Sequence, residues 1–114
     1  MLMYYGVMSR AQAASDVFQA IADPTRRSIL EALRTGEQPV SDLAGQFSVT
    51  LSAISQHMKV LRDAGLVSVR PQGRERLYRL NADPLLSVSE WVGQYEDFWQ
   101  SKLVALGEHL EEEP

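Results

Sequence analysis

The stretch "TLSAISQHMKVLRDAGLVSVR", residues 50–70, constrains the fold more than any other, because it opens as an amphipathic helix and closes as a strand. Thr50 is a good N-cap. Leu51, Ile54, Met58 and Leu61 recur at helical spacing and form a stripe to be buried. Gly65 can take the left-handed conformation that ends a helix, and β-rich residues follow at once. At about 100° per residue, Gln56 lies opposite the stripe, flanked by Ser52, Ala53, Lys59 and Val60. The outer face is thus a patch of small polar groups, with an imidazole and an ammonium, that has no work inside a core.

The preceding chain reads as three shorter helices. Ala14, Val17, Phe18 and Ile21 mark one face of the first, over about 9–22. "ADPTRRSILEALRTG" reads as the second: Asp23 caps it, Pro24 suits its first position and Gly36 ends it, with Ile29, Leu30 and Leu33 as the core face. Val40, Leu43, Ala44 and Phe47 give the third, broken by "SVT". After the fourth helix, "LVSVR" and "RLYRL" flank "PQGRE", a two-stranded hairpin with Pro71 and Gly73 favouring the turn. From about Pro84 one long helix is expected to run to residue 111. Its Val88, Trp91, Val92, Tyr95, Phe98, Trp99, Leu103, Leu106 and Leu110 form a stripe wider than so small a domain can cover. The surplus calls for a partner, most simply a second copy of the chain.

The 114 residues suffice for one ordinary domain, 9–114, with residues 1–8 read as an N-terminal extension and Met8 as an alternative start. The absence of Cys excludes a disulfide scaffold, a thiolate metal site and a Cys nucleophile, and fits a cytoplasmic setting. "MLMYYGVMSR" lacks the basic start of a signal peptide, and no apolar run is long enough for a membrane span. The net charge of −4 argues against a polyanionic partner only until it is divided along the chain. Residues 1–51 carry −1, residues 52–80 carry +4 and residues 81–114 carry −7. The local field of the basic segment decides what it binds.

Two short helices joined by a tight turn and followed by a basic hairpin make the pattern of a winged helix-turn-helix. The fold is then mainly α, with about five helices and a two-stranded wing. The fourth helix, 50–64, offers its outer face to the major groove, and the wing, 66–80, reaches adjacent backbone or minor groove. Small Ser52, Ala53 and Ser55 permit close approach, and Gln56 offers an amide to adenine or phosphate. Thr50, His57, Lys59, Arg62, Arg70, Arg74 and Arg76 complete the expected DNA-binding set. Arg26 and Arg27 sit near a helix start, where one is expected to pair with an acid and the other to reach phosphate.

At "IADPTRRSILEAL", "VSDLA", "SAISQHMKVLRDAGLVSVRPQGRERLYRL" and a terminal helix rich in Trp and Tyr, the sequence resembles the ArsR family of bacterial winged-helix repressors, from about Phe18 onward. The resemblance implies a homodimer built from the first and last helices, a palindromic operator and repression by blocking a promoter. On that basis Ala14, Val17, Phe18, Trp91, Tyr95, Phe98, Trp99, Leu103, Leu106 and Leu110 are assigned to the dimer interface. The family's Cys-containing metal motif corresponds here to "QPVSDLA", which has no thiol. In its last-helix metal site, Glu96, His109 and Glu112 are in phase, but Phe98 stands where the first His belongs. A cage short of an imidazole suits zinc poorly, so no metal or cofactor is expected. An inducer, if there is one, is then a small molecule of unknown kind.

The competing readings are a solvated helix with solubilising arginines, a winged helix used to bind another protein, and a zinc sensor through the degenerate last-helix site. His57 has no second His or Cys nearby, which favours a phosphate or structural contact over a metal. Catalysis is not expected: Ser55 and His57, two apart on one helix, point about 200° away from each other and cannot share a proton.

Overall fold

The structure, a computed structural model, describes the backbone of residues 10–112 and the side chains of residues 16–110. Residues 1–8 and the Ala14 side chain therefore lie outside the described residues. In chain order the elements are α1 (Arg10–Ile21), α2 (Pro24–Leu33), β1 (Gln38–Pro39), α3 (Val40–Phe47), α4 (Leu51–Asp63), β2 (Val67–Gln72), β3 (Glu75–Leu80), a 3-10 turn (Asp83–Leu85), α5 (Leu86–Gly93) and α6 (Glu96–Glu112).

Local chemistry sets the boundaries. Asp23 caps α2 by accepting from the Arg26 N–H at 3.0 Å, with Pro24 beginning the helix. Ser48 adopts φ 53° at the end of α3 and turns the chain within three residues into α4, where Thr50 Oγ1 accepts from Ala53 N at 3.0 Å. Gly65, at φ 78°, ends α4, and the Leu66 N–H donates back to Leu61 O at 2.9 Å. That wrap satisfies the last carbonyls and feeds directly into β2.

The core is one cluster. Val17 and Ala20 of α1, Ile29, Leu30 and Leu33 of α2, and Leu43 and Ala44 of α3 meet Ile54, Met58 and Leu61 of α4, with Leu66 and Val67 closing it from the wing. Leu51 departs from the expected stripe, being 56% exposed. It is the first residue of α4, and the core ends one turn further in, at Ile54.

The expected hairpin forms from β2 and β3, and β1 adds to it beside β3, giving an antiparallel sheet in the order β1-β3-β2 with Gln38 opposite Tyr78. Two residues ending in Pro39 carry too little pattern to be read as a strand, and a proline is tolerated there because β1 is an edge. Pro71 likewise lies inside edge strand β2, opposite Arg76, so the turn is made by Gly73, at φ 62°, and Arg74.

The single last helix is also corrected. It is a 3-10 turn and two helices, so the helices number six among the described residues. At the break, Gln94 N–H and Tyr95 N–H bond three residues back, to Trp91 O at 3.2 Å and Val92 O at 2.9 Å. The apolar stripe runs through this tightened turn, which is why periodicity alone does not reveal it. α5 packs on α1, but every described side chain of α6 is solvent-exposed. The radius of gyration of 18.7 Å accordingly exceeds the roughly 13 Å of a compact domain near this size.

Candidate nucleic-acid interface

The Ile54–Met58–Leu61 face holds α4 against the core, and this fixes what the opposite face presents. Ser52, Ser55, Gln56, Lys59 and Arg62 are exposed, and Ala53 is half-buried at the edge. Thr50 is exposed too, its oxygen engaged as the cap. Lys59 pairs along the helix with Asp63 at 2.8 Å, with both side chains largely in solvent, where such a pair is weak.

The wing stands beside this face. A recess of about 410 Å³ between α4 and β3 is lined by Ser55, Met58, Lys59, Arg62, Asp63 and Tyr78. Arg62 also lines an adjoining recess with Val69, Pro71 and Arg76. The fold thus brings Ser55, Lys59, Arg62 and Arg76 to one continuous surface, with Arg74 exposed at the wing tip.

Arg70 is placed differently from the other arginines. Its Nε donates to Glu37 Oε2 at 2.7 Å and its Nη2 to Glu37 Oε1 at 2.9 Å, a bidentate pair that ties β2 to the segment before β1. Glu37, the partner of Arg70, was not found by sequence reasoning. The partners are 33 residues apart, and only the unforeseen pairing of β1 with the sheet brings them together.

Arg26 and Arg27 do not divide between an acid and a phosphate. Both donate to carbonyls at the C-terminus of α1: Arg26 Nε to Ala20 O at 2.7 Å, Arg26 Nη2 to Gln19 O at 3.1 Å, and Arg27 Nη1 to Ile21 O at 2.8 Å. Their position beside the negative end of α1 outweighs the unfavourable start of α2. Arg26 Nη1 also meets His57 Nδ1 at 3.3 Å, so His57, half-buried, faces the protein interior on this side.

Two carboxylates are held below their ordinary values of 3.8 and 4.5. For Asp23 the main cause is the Arg26 backbone N–H, with the charges of Arg26 and His57 adding; for Glu37 it is the Arg70 hydrogen bond, with the Arg70 charge adding. A lowered folded value means stability that is complete above the unfolded value and lost as pH falls through the folded one. Thermal melts should therefore weaken between about pH 5 and pH 3, and less so in Glu37→Gln. Equal slopes for the two chains would remove the Arg70–Glu37 pair as a contributor.

The helices assigned to an interface divide in two. Val17 is not available to a partner: it is 2% exposed, because α1 turns it into the protomer core. Phe18 is half-buried and meets Trp91 edge-on at 5.7 Å, and Trp91 meets Tyr95 at 5.5 Å. Trp91, Tyr95, Phe98, Trp99, Leu103, Leu106 and Leu110 are all exposed, as is Val92 of the same stripe, and Leu86 and Val104, which the sequence reading did not mark, join them. Among the described residues no three His, Asp or Glu side chains gather to hold a metal. None of the helices described is long and apolar enough to cross a membrane.

Comparison with known proteins places this geometry. Residues 23–69, from the α2 cap into the first wing strand, match the model of the bacterial regulatory protein arsR family. The chain is 36% identical over 106 residues to the HTH-type transcriptional regulator Rv2034 of Mycobacterium tuberculosis, covering 93% of this chain and 96% of that one. It is 36% identical over 78 residues to the transcriptional repressor SdpR of Bacillus subtilis, covering 68% of this chain and 87% of that one. Among solved structures it resembles the homodimeric winged helix-turn-helix DNA-binding domain of Mycobacterium bovis Mb0332, a possible ArsR-family regulator. The TM-score is 0.64 at 27% identity, covering 75% of this chain and 82% of that one. The sequence match spans nearly the whole chain and the shared fold carries the exposed face of α4 beside a basic wing: the protein belongs to the arsR family of bacterial regulatory proteins.

Proposed function

We propose that this protein is a homodimeric, sequence-specific DNA-binding repressor acting in the cytoplasm on a two-fold operator. The observation that carries the reading is the polar outer face of α4, held rigid by its buried face and continuous with the arginines of the wing. The repressor name of SdpR and the homodimeric state of the Mb0332 domain support it. Two α4 helices enter successive major grooves about one turn, or roughly 10 bp, apart. Gln56, with Ser52 and Ser55 beside it, reads base edges, while Lys59, Arg62, Arg74 and Arg76 hold phosphates. Arg70, committed to Glu37, acts by fixing the wing. The chain is not an enzyme in this reading, and any inducer is a small molecule rather than a metal.

Gln56→Ala should cost about 1–3 kcal/mol on operator and little on random duplex. Equal losses on both, measured by fluorescence anisotropy, would end the base-reading role. Arg74→Ala should weaken binding to all sequences and lower the slope of log K against log salt by about one. An unchanged slope would take Arg74 off the phosphate backbone.

A further inference from the structure

Arg26 is the side chain through which three elements meet. It holds the Gln19 and Ala20 carbonyls of α1, lies in the capped first turn of α2, and reaches α4 through the His57 ring. A guanidinium has donors only, so Nδ1 of His57 must be the acceptor at 3.3 Å, and the neutral ring carries its proton on Nε2. His57 follows Gln56 directly in α4, so the ring anchors the segment of the helix that carries the reading face.

We propose that neutral His57 is a positioning residue for DNA reading, locking α4 to the end of α1 through Arg26, and that its protonation unlocks the helix and lowers operator affinity. The proposal rests on the DNA-binding reading above. A proton on Nδ1 turns the acceptor into a donor and sets one cation against another, so the link cannot persist. The charged groups facing the ring from α2 are Arg26 and the N-cap Asp23. Asp23, which accepts from the Arg26 backbone, eases the repulsion but does not give the Arg26 guanidinium back the acceptor that links it to α4. On α4, Lys59 and Asp63 are paired with each other.

The test has two arms. In the free protein, nitrogen NMR of the His57 ring and the Arg26 side chain is followed from about pH 8 to about pH 5.5. The Nε2–H tautomer at the upper end and joint titration of both groups are expected, with loss of hydrogen-exchange protection in α4. An Nδ1–H tautomer, or an Arg26 signal that ignores the His57 titration, would overturn the link. In the second arm, operator affinity is measured over the same range. The wild type should weaken about fivefold or more on acidification. His57→Asn, which keeps an acceptor near the Nδ1 position but does not titrate, should lose the dependence on pH. Affinity that rises on acidification would instead make His57 a direct phosphate contact, and an undiminished fall in His57→Asn would exclude it; either overturns the proposal. A chain that prefers no duplex at any pH overturns the positioning role together with the DNA reading, and joint titration in the first arm would show that the Arg26–His57 link itself survives.

Discussion

A Leu103→Glu chain is expected to remain folded, to sediment as a monomer and to lose operator affinity with the loss of its partner. Leu103 is 64% exposed in the protomer and contributes nothing to its core, so the substitution spares the fold. It lies on the α5–α6 surface, the interface this account proposes, where a groove of about 600 Å³ at the elbow is lined by Leu85, Val88, Val92, Trp99 and Leu103. Soluble monomers rarely leave apolar surface this continuous, and a two-fold partner would cover it with the same residues. A carboxylate buried there without a partner costs several kcal/mol, and symmetry places it at the interface twice. Dimer dissociation should therefore rise about a hundredfold or more. Binding to a two-fold operator falls with it, since one half-site no longer recruits the other. A chain that stays dimeric by analytical ultracentrifugation would move the interface off α6.

The second large effect is on stability. Leu61 is 0% exposed and joins α4 to the rest of the core at the end where α4 passes into the wing. Leu61→Ala removes its transfer energy and leaves a cavity, at a cost of about 2–5 kcal/mol. In a domain near this size that lowers Tm by roughly 10–20 °C. Leu51→Ala, on the same helix and in the same sequence stripe, should change stability by less than about 0.5 kcal/mol because Leu51 lies in solvent. Comparable losses at the two positions would mean that the core continues past Ile54.

The contrast between these leucines shows what a sequence exposes and what it hides. Periodicity finds the axis of α4 and its buried face, because Ile54, Met58 and Leu61 share one angular sector. It does not find where the core stops, which depends on how far the neighbouring helices extend. Caps and stops at Asp23, Thr50 and Gly65 were legible because their chemistry is local. The polar face around Gln56 was legible for the same reason, as the complement of a well-marked stripe. Partners distant along the chain were not. Arg70 looked like one more wing cation until β1 brought Glu37 beside it, and Arg26 and Arg27 looked like cations to be divided between an acid and a phosphate until the end of α1 was placed against them. The elbow between α5 and α6 escaped because the apolar pattern continues across it, and only the backbone bonds of Gln94 and Tyr95 mark the break.

The most direct test of the account is an anisotropy titration of the full chain against a duplex selected from a random pool, with unselected duplex as control, at two salt concentrations. Affinity that favours the selected duplex by about a thousandfold, and falls steeply with salt, is the predicted result. Weak binding that is equal on both duplexes would contradict it, leaving the exposed face of α4 as a surface for something other than a DNA sequence.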